Sequence, residues 1–177
     1  MRKRFTVMGL VVLLAAAMGG CASLSPAPKS ASGKAIIIYV HVDRGIENSF
    51  NDYQIRNRHQ TGEYMEKDLS NMLRKAGYAP RIIGKRSDYK PAPDTYLLTV
   101  KITNYNPGAK AARMFVGYGA GAVTMQTHYE LYNKDQKSIL DGDLGHGSSK
   151  DWAYVVKKID RDTANAVTAK LSGNAAE

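Results

Sequence analysis

The period of apolar positions along this chain changes several times, and each change marks an element. Residues 35–42 (AIIIYVHV) are apolar and β-branched on both faces, the pattern of a strand covered on both sides. Over 60–76, Met65, Leu69, Met72, Leu73 and Ala76 form one stripe at helical spacing, and Gly77 stops it. Residues 80–84 predict a short strand. From 96 to 104, Leu98, Val100 and Ile102 alternate with Thr99, Lys101 and Thr103. From 122 to 132, Val123, Met125, Thr127, Tyr129 and Leu131 alternate with Thr124, Gln126, His128, Glu130 and Tyr132. A turn at 133–136 leads into a last strand over 138–144. A second helix is predicted over 149–171, with Trp152, Val156, Ile159, Val167 and Leu171 on its inner face and Ser148 with Asp151 as its capping box.

The order β-α-β-β-β-β-α predicts an α+β fold, a mixed sheet of about five strands with two amphipathic helices packed mainly on one face. The first helix should return the chain so that the first two strands lie parallel, and the rest suits an antiparallel meander. One domain over 35–172 and a polar tail at 173–177 follow.

Ahead of the domain the pattern changes in kind. Residues 1–4 are basic at Arg2, Lys3 and Arg4, and Val7 to Met18 (VMGLVVLLAAAM) is apolar up to Gly19-Gly20-Cys21. Cations, a greasy middle and small residues at a scissile bond are the layout of a secretory signal. The apolar run is shorter than the ~20 residues that span a bilayer as a helix. Ala16-Ala17-Met18-Gly19-Gly20-Cys21 resembles the bacterial lipobox, with Met18 where a branched aliphatic is more usual. That resemblance implies that residues 1–20 are a lipoprotein signal peptide and are removed. It also implies lipidation of Cys21 with diacylglycerol and fatty acid such as palmitate. Ala22 in place of Asp after the Cys implies, by resemblance to Gram-negative sorting, delivery to the outer membrane. Residues 21–34 (CASLSPAPKSASGK) are too poor in bulky apolar groups to order themselves and predict a flexible tether.

Composition narrows the chemistry. The chain has one Cys among 177 residues, which excludes an internal disulfide framework and Cys-rich metal modules. Its formal charge is +9, and +6 remains once the leader's three cations are removed. In an envelope compartment this balance points to acidic headgroups or proteins and not to nucleic acid. Gly117-Tyr118-Gly119-Ala120-Gly121-Ala122 matches a dinucleotide fingerprint in letters only, because an alternating strand and no helix follows it, so no nucleotide is expected. Asp141-Gly142-Asp143 lacks the Glu that closes a calcium loop, since Trp152 stands there. No Gly-x-Ser-x-Gly elbow surrounds the serines after His146. The expectation is no catalytic residue, no metal and no cofactor. Two alternatives stand beside it: a small hydrolase or metal-assisted enzyme built on His128 and Glu130, which share a strand face, and a cell-wall glycan binder using some of the eleven tyrosines.

The segment 106–122 (NPGAKAARMFVGYGAGA) is the least ordinary. Gly117, Gly119 and Gly121 recur at period two, clearing side chains from one side of an extended backbone. This makes Arg113, Phe115, Gly117, Tyr118, Gly119 and Gly121 the candidate partner-binding residues. Pro107 to Arg113 followed by Val116 to Gly121 resembles a family of small Gram-negative outer-membrane lipoproteins carrying a domain of unknown function. Their pattern is Pro-Gly-x-x-Ala-Ala-Arg, a spacer, and Gly-x-Gly-Ala-Gly. The resemblance implies class and location without a mechanism. At fold level the plan is also similar to outer-membrane lipoproteins that activate peptidoglycan synthases. A second candidate surface is the connector 43–59, with Arg44, Arg56 and Arg58 beside Phe50, Tyr53 and Ile55. In the simplest topology it leaves the opposite sheet edge from the glycine segment. The reading is a lipid-anchored, periplasm-facing binding or assembly module of the outer membrane, non-enzymatic, with an envelope protein as partner.

Overall fold

The computed structural model describes residues 27–30, 33–108 and 121–173. Strand β1 (Ile37–Asp43) leads to helix α1 (Asp52–Ala76) and the short strand β2 (Ala79–Ile82). A crossing segment with one 3-10 turn (Arg86–Asp88) connects to β3 (Thr95–Asn106). Strands β4 (Val123–Tyr132) and β5 (Ser138–Ser148) and helix α2 (Trp152–Gly173) complete the domain. The sheet runs in the order β2-β1-β3-β4-β5. The predicted α+β class and element order are those observed.

Topology departs from expectation at one place. β1 pairs in parallel with both β2 and β3, from Ile37 opposite Ala79 and Thr95 onward, so the meander is confined to β3, β4 and β5. The chain from β2 to β3 therefore crosses the sheet face that carries no helix. It does so by burying Ile83 and Tyr89 against Tyr39, Leu97 and Tyr132. The Tyr89 hydroxyl donates to the Thr95 carbonyl at 3.1 Å, fixing the end of the crossing to the start of β3.

On the helical face, Ile38, Val40 and Val42 of β1 join Leu98, Val100 and Ile102 of β3 and Met125 and Leu131 of β4. Met65, Leu69 and Leu73 of α1 and Val156, Ile159 and Val167 of α2 close over them, all buried. Each such side chain contributes ~1.5–3 kcal/mol relative to exposure, which is what holds two helices on one sheet face. Gly142 faces Tyr129 across the β4–β5 pair, and a Cβ there would lie 2.7 Å from the tyrosine oxygen, so the ring fills the space that glycine leaves.

Both helix starts differ from the pattern-based expectation. α1 begins eight residues before the predicted start because Asn51 and Gln54 form a capping box, each side chain meeting the other's backbone N–H at 3.0 Å. Its first two turns bury Arg58, Thr61 and Gly62 in place of aliphatics, which hides the helical period. α2 is capped by Asp151, whose Oδ1 accepts the Tyr154 N–H at 2.7 Å. Ser148 instead accepts the Lys150 N–H at 3.0 Å, so the Ser148 and Asp151 box is replaced by a single-residue cap.

This register gives the domain two distinct ends. β1, β2 and β3 start at the lower end, where the β4–β5 turn lies and both helices finish. The chain enters there: Ala27 donates its N–H to the Ala76 carbonyl at 2.6 Å, beside the left-handed cap Gly77, and Ser30 is buried. β1 and β3 finish, and both helices start, at the upper end. The 25 residues of α1 set the separation at about 37 Å.

Candidate functional site

The upper end is organised by two arginines. After β1 the chain turns at Gly45, which has φ +57 and lies so close to the Ile102 carbonyl that no Cβ fits. Arg58, only 5% exposed, donates from Nη1 to the carbonyls of Ile102 at 2.9 Å and Arg44 at 3.2 Å. The acceptor Ile102 sits at a β-bulge in β3. The guanidinium also lies 5.4 Å from the Phe50 ring centroid and 5.8 Å from that of Tyr105. Burial lowers the Arg58 pKa, while Glu47, Tyr105 and Asp43 act in the opposite direction. Arg44 pairs with Glu66 at 3.1 Å and lays its stem over Gly62. Together they fasten the turn after β1 to α1 and to β3.

Around Arg58, Phe50, Tyr53, Asn57, Tyr105 and Pro107 line a notch of about 60 Å³. Tyr53 is 58% exposed and Ile46 40%, so an aromatic and apolar rim faces outward here. Burial raises the Tyr105 pKa and keeps its hydroxyl protonated beside Thr61. The glycine segment is rooted at the same place. Asn106 accepts the Gly108 N–H at 2.9 Å, and Gly108, at φ +71, lies against the Gly121 carbonyl with no room for a Cβ. Of the candidate partner-binding residues, Gly121 is described, at φ +69; Arg113, Phe115, Gly117, Tyr118 and Gly119 lie outside the described residues, as does Cys21. The expectation that the connector 43–59 and the glycine segment leave opposite sheet edges is corrected. β1 and β3 are parallel neighbours, so their ends, and the segments that follow, come out side by side.

The other candidates resolve into pairs. His128 meets Asp143, its cross-strand neighbour on β5, with 2.9 Å between Nδ1 and Oδ1. Glu130 interacts with Tyr132 on the same strand. Only the strand register reveals the Asp143 partner. His146 reaches Asp162 of α2 at 2.6 Å and ties β5 to that helix. Among the described residues, no group of three or more His, Cys, Asp or Glu is placed to hold a metal ion. Of the ten described tyrosines, only Tyr53 and Tyr154 are exposed; the others serve packing. Between the helices, Asp160 is wholly buried against Asp68 of α1, with no donor to either carboxyl oxygen among the described residues. Burial, then the neighbouring carboxylate, raises its pKa well above the usual value.

Charge divides sharply between the ends. The lower end gathers eleven of the twenty described Lys and Arg with four carboxylates, while the other nine cations are matched by eleven. Arg74 and Lys75 occupy the last turn of α1 and Lys170 that of α2. Arg81, Lys85, Arg86 and Lys90 lie on β2 and the crossing, Lys134 and Lys137 in the β4–β5 turn, and Lys29 and Lys34 on the entering chain. Asp88, Asp94, Glu130 and Asp135 are the acids among them, Glu130 meeting the same Tyr132 as Arg86. No helix of the described residues is long and apolar enough to cross a membrane.

These features define a class: a two-layer α+β domain entered at a basic end and carrying an aromatic rim at the other. The chain belongs to the family of the domain of unknown function DUF4410, whose model matches residues 25–150. No curated protein matches. Its fold is similar to two PelC dodecamer structures from Paraburkholderia phytofirmans. One is 13% identical with a TM-score of 0.55, covering 81% of this chain and 95% of that one. The other is 14% identical with a TM-score of 0.53, covering 80% and 94%. It is also similar to uncharacterized lipoprotein B from Nitrosomonas europaea, 10% identical with a TM-score of 0.39, over 93% of this chain and 94% of that one.

Proposed function

We propose that this protein is a lipoprotein of the Gram-negative outer membrane, anchored through Cys21, that faces the periplasm and binds another envelope protein with its upper end, without catalysis. The observation that carries this reading is the placement of the two ends. The chain from Cys21 enters at the lower end, and the six residue-to-residue steps from it to Ala27 reach at most about 20 Å. The aromatic rim and the roots of the glycine segment stand about 37 Å further on. With the lower end toward the bilayer, a surface so placed stands clear of it and is available to a protein, with Arg113, Phe115, Gly117, Tyr118 and Gly119 in the segment that follows it in sequence.

Two experiments test it. Cys21→Ser should abolish labelling by a fatty-acid analogue, and retained labelling would end the anchor claim. A photocrosslinker at Tyr53 in intact cells should capture a defined envelope protein that the same group at Lys75 does not. Equal capture at both positions, or none at Tyr53, refutes the docking claim. A second reading, favoured by the dodecameric state of the PelC structures, is self-assembly. Sedimentation of the lipidated protein in detergent distinguishes a high oligomer from a monomer.

A further inference from the structure

The basic lower end exceeds what the fold itself requires. Two helix C-termini present about half a negative charge each, and Arg74, Lys75 and Lys170 in their last turns answer them. Arg81, Lys85, Arg86, Lys90 and Lys137 serve neither terminus, and among the described residues none of them is in an ion pair within 4 Å. Lys85, Lys90 and Lys137 are exposed. Arg86 lies over the Tyr132 ring, with 4.0 Å to its centroid and Glu130 meeting the same tyrosine, and Arg81 lies over Tyr39 at 5.8 Å. The guanidinium positions are thus set by the protein, at the end where the chain enters.

We propose that this end is a docking surface for an anionic phospholipid bilayer, seating the domain directly on the membrane to which it is tethered. The proposal rests on the lipid-anchor reading, which brings that membrane within about 20 Å. Charge complementarity and continuity with the entering chain select the occupant. A cation near an anionic bilayer strengthens association about fivefold, and the effect fades within a Debye length of ~8 Å, so only a face in contact contributes.

The test uses the mature-length chain 21–177 with Cys21→Ser, its thermal transition serving as the fold control, so the outcome does not depend on lipidation. Sedimentation should show binding to vesicles of phosphatidylcholine with phosphatidylglycerol and none to phosphatidylcholine alone. Replacing Lys85, Lys90 and Lys137 together by Gln should weaken binding about a hundredfold. Replacing Arg56, Lys101 and Lys157 together by Gln removes the same charge from other parts of the surface and should change binding less than about twofold. Equal binding to both vesicle types overturns the proposal, as does equal loss in the two triple variants. Failure of the anchor itself is read separately, in the fatty-acid labelling of the unmodified chain.

Discussion

Asp160→Asn should make this protein more stable at neutral pH, although it replaces a buried side chain in the middle of a helix interface. Asp160 is 0% exposed, faces Asp68, and finds no donor for either oxygen among the described residues. Its raised pKa means that the native state keeps a proton that the unfolded chain releases near pH 3.8. The stability linked to that proton is complete below pH 3.8 and is lost as pH rises toward the native pKa. One proton's difference gives a slope of about −1.4 kcal/mol per pH unit through that window. For a chain of this size that is about 4 °C of melting temperature per unit.

Asn cannot ionise, and its amide offers the neighbouring Asp68 a donor that carries no charge. Urea denaturation of both proteins from pH 4 to pH 7 isolates the effect of this pair as the difference between two curves, in which the carboxylates away from it cancel. The variant's advantage should grow with pH and then level off. A difference that stays flat across the series, or a variant that is weaker throughout, refutes the account of this pair.

Three more outcomes follow from the contacts at other sites. Arg58→Leu strands the Ile102 and Arg44 carbonyls and should cost about 1–3 kcal/mol for each left without a donor, measured by urea denaturation. Gly142→Val drives a methyl-bearing carbon into the Tyr129 ring and should cost ~1–3 kcal/mol, whereas Gly84→Ala, with open space around it, should leave the melting temperature near its starting value. Asp151→Ala removes the α2 cap and should cost about 1 kcal/mol, with faster amide exchange confined to the first turn from Trp152.

The elements were legible wherever burial follows a period. Leu98, Val100 and Ile102, or Met65, Leu69 and Leu73, announce their faces because each faces one layer. Legibility failed where polar groups do the burying. Arg58, Thr61 and Gly62 occupy the core side of the first turns of α1, so hydrophobic spacing placed the helix start eight residues late. Strand order was the second loss. A short β2 of four residues gives no sign that β3 will pass over it to pair with β1, and that one pairing decides that Tyr53 and Tyr105 share a site. The pairing of His128 with Asp143 is likewise a matter of register across a hairpin, invisible along either strand alone.

That same pairing gives one small domain two unlike ends. Making β1 the parallel neighbour of both β2 and β3 sends three strand starts and two helix ends to one side, together with the entering chain. It leaves the turn after β1 and the roots of the glycine segment on the other. The lower end then carries an excess of seven positive charges and the rest of the described residues an excess of two negative ones. Above an anionic bilayer, attraction of the first and repulsion of the second act on opposite ends of a body about 37 Å long. A tether alone would let the domain tumble. On the anchoring proposed above, the charge division would turn the tether into an upright mount, and that posture would leave Tyr53, Phe50 and Tyr105 facing away from the bilayer.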